Sequence, residues 1–332
     1  MPQKVRWGIL GPGRISRKFA ADLRLVENAE LVAVGSRTKE SALAFAREFP
    51  VAHIHDSYEA LAANPEVDVI YISTPHNLHK ENTVMCLNAG KPVLCEKPFA
   101  MNLHEVQQMV DVARDRKVFL MEALWTKFMP HYRTTVDLVK SGKLGTIKSM
   151  LVNFGFAPAP PVPARLFDPA LGGGTILDIG IYNVFITISM MGIPDVVEAS
   201  ITPTAEGVDE QCAVLFKYKN GALAQLFSTF SSNLATEADI NGNKGRIRLT
   251  TRFYEPSATI EYYPERVDSK QIIPVEKESG FGYQYEARHV GECLQKGLIE
   301  SPLMSFKESI ELISLLDKIR NVAGVKYAAD RK

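Results

Sequence analysis

The 332-residue sequence predicts an α/β protein in two parts: a doubly wound parallel sheet, then an α+β domain built on a large open, mainly antiparallel sheet. Three observations carry that expectation. Short, continuously apolar runs alternate with helix-spaced segments through the first third, as strands buried on both faces require. After about residue 122 the runs lengthen and fill with β-branched and aromatic residues. Two of these longer runs, "VLFKYKNGALAQLF", are joined by Asn220-Gly221, a strong hairpin signal.

Taken in order, strands are expected at 5–10, 31–35, 67–72, 92–95 and 118–121, with helical spacing over 41–49 and 81–88. Beyond them, strands are expected at 147–156, 211–218, 222–230 and 247–251, with a short Pro-rich loop, "APAPPVPA", over 157–164. These patterns divide the chain into a first domain over 1–122 and a second over 123–332, whose C-terminal helix is expected to pack back on the first. No internal repeat is visible.

Composition narrows the function classes. Thirty-eight basic and thirty-eight acidic residues cancel, which argues against nucleic acid or an anionic membrane as the main partner. The start, "MPQKVRWGIL", lacks the apolar stretch of a signal peptide, and no later window is expected to span a membrane, so a cytoplasmic location is expected. Cys86, Cys95, Cys212 and Cys293 lie far apart in apolar contexts, the pattern of buried thiols in a reducing compartment.

The first strand runs into "GILGPGRIS", with Gly11 and Gly13 placed where a backbone can approach a dinucleotide's pyrophosphate at a helix N-terminus. Ser16 stands where a third glycine is usual, and its small side chain still permits close helix-strand packing. At the end of the second strand, an acid that would bind a ribose 2′-hydroxyl is missing; Ser36 and Arg37 stand there instead. A guanidinium and a hydroxyl suit a 2′-phosphate, so NADP is expected over NAD.

"KPVLCEKPF" (91–99) poses a different problem, because an apolar strand gives way at once to Glu96, Lys97 and Pro98. One reading is a solvated strand end with a Glu-Lys pair; the other is a functional lysine at the carboxyl edge of a parallel sheet, where such folds bind ligands. In the second domain, Gly172-Gly173-Gly174 leads into a helix with Asp178 and Tyr182 four residues apart, able to receive a hydroxylated substrate. His76 and His79 lack a third ligand at metal-like spacing, so cofactor contact or helix capping is expected and no metal. His53 and His55 read as surface beside an edge strand, Trp125 as core, and Arg165 as a residue able to reach the active site.

"GILGPGRIS", "YISTPHNLH", "AGKPVLCEKPFAMN" and "GGGTILDIGIY", in that order, resemble the glucose-fructose oxidoreductase / inositol dehydrogenase / rhizopine-catabolism family over essentially the whole chain. "MEALWTKFMPHY" (121–132) is similar to its branch of dimeric dihydrodiol and NADP-dependent xylose dehydrogenases. The resemblance implies a Rossmann domain followed by a sheet domain that supports oligomerisation, most simply a homodimer. It implies that Lys97 faces nicotinamide and substrate, with Glu96 and a cis-linked Pro98 shaping the cofactor pocket and Trp125 near the nicotinamide. Arg14, Ile15, Thr74 and Pro75 extend that pocket, which also takes in His76, His79 and Arg165. Many members carry His where this chain has Tyr182, and tyrosine matches the dihydrodiol and xylose branch. The expected activity is hydride transfer between nicotinamide C4 and a hydroxyl-bearing carbon of a sugar, polyol or trans-dihydrodiol. Lys97 would serve as general acid/base, Tyr182 would share the proton and Asp178 would orient the substrate. The alternative is a catalytically idle NADP-binding sensor of the same fold.

Overall fold

The computed structural model describes residues 4–265 and 270–331. The chain divides into two compact units, Met1–Phe128 with Glu278–Ile310, and Met129–Lys277 with Glu311–Lys332.

The first unit holds strands β1 (Val5–Leu10), β2 (Ala29–Gly35), β3 (His53–His55), β4 (Val69–Ile72), β5 (Val93–Glu96) and β6 (Leu120–Ala123). Its helices are α1 (Arg14–Leu23), α2 (Lys39–Glu48), α3 (Tyr58–Ala62), α4 (His79–Asn88) and α5 (Leu103–Arg116). The strands are parallel in the order β3-β2-β1-β4-β5-β6. Chain order reverses between β1 and β4, and ligands of such sheets bind at the carboxyl ends beside that point. Strands β4, β5 and β6 are buried at every residue, as helices on both faces demand. The expected strand over 118–121 begins and ends later, at Leu120–Ala123. The shift takes Glu122 into the sheet, where backbone and hydroxyl donors receive its carboxyl. His53 and His55 do form the edge strand, but both are half-buried; His55 bonds Asn64 at 3.1 Å and His53 pairs with Glu66 at 3.4 Å.

Sequence reading ended the first domain at residue 122, whereas the unit runs to Phe128 and takes back Glu278–Ile310, which includes α8 (Tyr283–Gln295). Buried Asp22 of α1 explains much of this return. Its carboxylate accepts the Phe281 N–H at 2.9 Å and the Tyr283 N–H at 2.8 Å, holding the first turn of a helix that has no side-chain cap of its own. Trp125, in the short helix Trp125–Phe128, stacks on Tyr283 with centroids 4.5 Å apart.

The second unit is built on β7 (Ile147–Gly155), β8 (Val196–Pro203), β9 (Asp209–Lys217), β10 (Leu223–Thr229), β11 (Ala238–Gly242), β12 (Gly245–Thr250), β13 (Thr259–Pro264) and β14 (Gln271–Ile273). They form one sheet in the order β14-β13-β12-β11-β7-β10-β9-β8. Asn220-Gly221 makes the expected turn: Gly221 takes φ +81°, and Leu223 pairs with Lys217 across the hairpin. One pair, β7 with β10, is parallel, because a helix and two strands intervene between them and return the chain in the same sense. Helices α6 (Pro130–Lys140) and α7 (Ile181–Met191) belong to this unit, and α9 (Phe306–Ala323) enters it from residue 311.

One expectation about membranes needs correction. Pro169–Met191 is long and apolar enough to cross a bilayer by length and composition, yet its apolar window is 89% buried within the fold. It is a core segment, and its hydropathy reflects burial on all sides. All four cysteines are buried and unbridged, as expected.

Asp22→Ala removes an acceptor shared by the buried Tyr283 N–H and the part-buried Phe281 N–H and leaves the buried one unsatisfied. Unfolding free energy from urea denaturation should fall by about 1–3 kcal/mol. A change below about 0.5 kcal/mol would show that water replaces the carboxylate without loss.

Candidate active site

In the first unit, the carboxyl ends of four strands supply nearly all the residues singled out from the sequence. Gly11 follows β1 with φ +89°, and a Cβ there would stand 2.9 Å from Thr74 Cγ2, so only glycine fits. At Gly13 a Cβ would meet nothing within 4 Å, which leaves open space in front of α1. No side chain caps that helix and no acid lies in its first turn. An uncapped N-terminus bordered by open space and glycine suits a pyrophosphate. Exposed Arg14 and half-buried Ile15 begin the helix, and buried Ser16 bonds the Gly13 carbonyl at 2.9 Å.

Ser36 and Arg37 follow β2. Ser36 is buried, its N–H donating to the His55 carbonyl at 3.2 Å. Arg37 is exposed beside the Tyr58 hydroxyl, and Thr38 caps α2. The guanidinium is thus free of any carboxylate contact among the described residues and stands at the surface.

After β4, Thr74 is buried and receives Asn82 Nδ2 on its hydroxyl at 3.1 Å. Pro75 and His76 are half-buried, with the His76 ring 5.8 Å from that of His79. His79 is fully buried, and its two ring nitrogens face the Thr74 and Pro98 carbonyls, each at 2.8 Å. Burial pushes its pKa down while the two carbonyls push it up, with a net lowering. It contacts backbone on both sides, which is the helix-associated structural role.

After β5 comes the turn from Glu96 to Phe99, with the Lys97–Pro98 bond cis as the resemblance implied. The buried Tyr71 hydroxyl donates to Glu96 Oε1, and Glu96 Oε2 accepts the Lys97 N–H at 3.2 Å. On the far side of the proline, Glu122 Oε1 accepts the Phe99 N–H at 3.1 Å. Lys97 itself is half-buried between these clamps. Burial drives the Tyr71 hydroxyl well above its ordinary pKa, with Glu96 adding to it, and Glu286 on α8 is raised well above the carboxylate range by the same cause. Tyr71, Glu122, Asp22 and Glu286 escaped sequence reading. Glu122 left one visible signal, a carboxylate inside the apolar run "FLMEAL".

In the second unit, Asp178 and Tyr182 were expected on one α-helical face. Asp178 instead lies in a π-helical turn, Ile176–Gly180, and Tyr182 in α7. Such turns are rare and recur at functional sites, because the wider ring re-aims side chains. Asp178 is buried and pairs with Arg165 at 3.2 Å, so Arg165 meets the candidate catalytic acid directly. Tyr182 is buried against Phe154 and Tyr254, with centroids at 5.9 and 5.0 Å. Phe156, Phe230 and Phe167 continue the aromatic wall. Behind the turn, Asp209 accepts the Thr175 hydroxyl at 2.6 Å and the Ile176 N–H at 2.7 Å, and burial raises its pKa to about 6.

This fold and these loops are those of a nicotinamide-dependent oxidoreductase. The model of the Gfo/Idh/MocA oxidoreductase family with NAD-binding Rossmann fold matches residues 5–124, and that of the Gfo/Idh/MocA C-terminal domain matches residues 132–248. The chain belongs to this family. It is 37% identical over 334 residues to trans-1,2-dihydrobenzene-1,2-diol dehydrogenase of Sus scrofa, covering 98% of this chain and 99% of that one. With the Homo sapiens protein of the same name it shares 36% over 338 residues, covering 99% of each. Among solved structures, the 3-ketoreductase from Actinomadura kijaniata, in complex with NADP and TDP-benzene, is 25% identical with a TM-score of 0.86, covering 97% of this chain and 98% of that one. An aldose-aldose oxidoreductase from Caulobacter crescentus shares the fold, with 22% identity, a TM-score of 0.88 and the same coverage of 97% and 98%. The relatives are named as dehydrogenases and reductases, and the chain is an enzyme of that kind, not an idle sensor.

Proposed function

We propose that the protein is an NADP-dependent dehydrogenase of trans-dihydrodiols and related cyclic diols, with Lys97 as the proton carrier. The observation that carries this reading is the turn after β5, where two buried carboxyls fix the N–H groups on either side of Lys97–Pro98 and so direct one lysine to the edge where doubly wound sheets bind ligands. The aromatic wall beside Tyr182 and the Arg165–Asp178 pair favour a flat, unsaturated ring bearing hydroxyls over a flexible sugar chain. The two named relatives above act on such a diol.

Gly11, Gly13 and the α1 N-terminus would receive the pyrophosphate, Ser36 and Arg37 the 2′-phosphate, and Thr74, Pro75, His76 and Trp125 the rest of the dinucleotide. When bound, the nicotinamide ring supplies a hydride acceptor or donor at C4. In oxidation the carbinol C–H bond breaks with its electron pair, the carbonyl forms, and the hydroxyl proton passes to Lys97 Nζ. In reduction Lys97 returns that proton. Tyr182 hydrogen-bonds the reacting oxygen, and Asp178, held by Arg165, orients the second hydroxyl.

With NADP and a panel of trans-dihydrodiols, polyols and aldoses, reduction of the cofactor followed by absorbance should show the diols ahead. Lys97→Met should lower kcat by about a hundredfold or more while NADP still binds. A near-normal kcat with lower stability would return Lys97 to the role of a solvated strand end.

Arg37→Asp should move kcat/KM from NADP towards NAD, because it removes a charge-assisted contact and adds repulsion. An unchanged ratio would remove Arg37 from phosphate recognition.

The sheet of the second unit supports a homodimer. Leu151 (45% exposed), Leu223 (44%) and Val196 (45%) share one face with Ala213, Leu215, Gln225 and Phe227, as the strand registers require. An apolar face of this kind usually marks an interface. Light scattering at micromolar concentration should give twice the chain mass, and Leu151→Asp should shift it towards the monomer. A monomeric parent protein would dismiss the interface.

A further inference from the structure

Glu122 is the third residue of β6, opposite Cys95 of β5 in the parallel register, and only 2% exposed. Its surroundings are those of a group in use. Oε1 accepts the Phe99 N–H at 3.1 Å, the Ser309 hydroxyl from the first turns of α9 also donates to the carboxyl, and Oε2 is buried with no hydrogen-bond partner. A strut needs only one acceptor oxygen, and an amide would provide it without the desolvation that an acid brings.

We infer that Glu122 is a positioning residue for Lys97, a buried acid whose proton governs how firmly the turn carrying the lysine is held. This rests on the reading of Lys97 as proton carrier. The groups facing Glu122 are the Phe99 N–H and Lys97 from the turn, Glu96 and the Cys95 thiol from β5, and Ser309 from α9; the thiol is itself pushed up by burial and stays neutral beside the acid. Burial raises the carboxyl pKa to about 7; Ser309 and the Phe99 N–H pull it down, Glu96 pushes it up and the Lys97 charge pulls it down. The acid therefore changes state near neutral pH. As a carboxylate it makes a charge-assisted bond to Phe99, about twice as strong as the neutral one, and it faces the lysine with a negative charge. Protonated, it loosens its hold and loses that charge.

Two readouts test this, one of them independent of turnover. A carboxyl whose folded pKa lies above its unfolded value contributes stability that is fully present below about pH 4.5 and lost as pH rises through about 7. Unfolding free energy of the parent protein should decline across that window, and Glu122→Gln should flatten the decline. The second readout is kcat for diol oxidation against pH at saturating NADP. It should rise through a step near pH 7 in the parent protein, and the step should vanish in Glu122→Gln while KM for NADP stays the same. Ser309→Ala, which removes a donor to the carboxylate, should move the step up by about half a unit or more. If Glu122→Gln does not fold, the Ser309→Ala shift decides alone. A kcat step that survives unchanged in Glu122→Gln, or that stays in place in Ser309→Ala, overturns the inference even where the stability curve flattens. Failure of the Lys97 reading shows separately, as a Lys97→Met enzyme that still turns over.

Discussion

The first unit depends on the way four residues, Glu96 to Phe99, are held at the end of β5. A turn with a lysine at its apex and a proline behind it has few backbone hydrogen bonds to offer, so the neighbouring strands supply them through side chains. Tyr71 of β4 bonds Glu96, Glu96 bonds the Lys97 N–H, Glu122 of β6 bonds the Phe99 N–H, and His79 of α4 bonds the Pro98 carbonyl. All of this follows from strand order: β5 lies between β4 and β6, so partners can reach the turn from both sides. It follows from register too, because Ile72 and Glu122 both stand beside Cys95. A slip of one residue would turn Glu122 to the opposite face of the sheet and release Phe99.

The second unit solves a similar problem with different parts. Asp178 stays buried in a long apolar segment, and it sits in a π-helical turn, where it pairs with Arg165. The turn is tied down behind by Asp209, which takes both the Thr175 hydroxyl and the Ile176 N–H, while Ser228 donates to Thr175 at 3.0 Å. Gly174 makes the approach possible. Its φ is +110°, and a Cβ would lie 2.3 Å from Asp209 Oδ1. Of the three glycines that looked like a flexible loop in the sequence, this one is required by a specific contact.

What the sequence disclosed divides along physical lines. Strand identity in the first unit was legible because burial on both faces leaves an unbroken apolar run, and the hairpin was legible because Asn-Gly encodes its turn locally. Gly11, Gly13 and the Glu-Lys-Pro turn could be read because they depend on chain neighbours. The unread features depend on distant ones. A C-terminal helix packing back on the first domain was expected, but the Asp22 carboxylate that holds α8 there was not, because it meets Phe281 and Tyr283 only after the chain has folded. The parallel pairing of β7 with β10 is fixed by what lies between them, not by either strand. The π-helical turn defeats a periodicity argument outright, since the four-residue spacing of Asp178 and Tyr182 means one face only in a regular α-helix.

Charge gives the remaining link between fold and chemistry. Around the turn, the first unit buries Glu96, Glu122 and Glu286, three acids in the domain whose α1 N-terminus suits an anion. Among the described residues both Glu286 oxygens lack hydrogen-bond partners, and burial pushes its pKa well above the carboxylate range, with the Glu96 and Asp22 charges adding to it. Glu122 is partly neutral by the same means, and Glu96 takes its compensation from the Tyr71 hydroxyl and the Lys97 N–H. Neutralising acids by protonation has a consequence that salt bridges would not have. It ties the electrostatics of the turn to the proton activity of the solution, because Glu122 changes state near neutral pH.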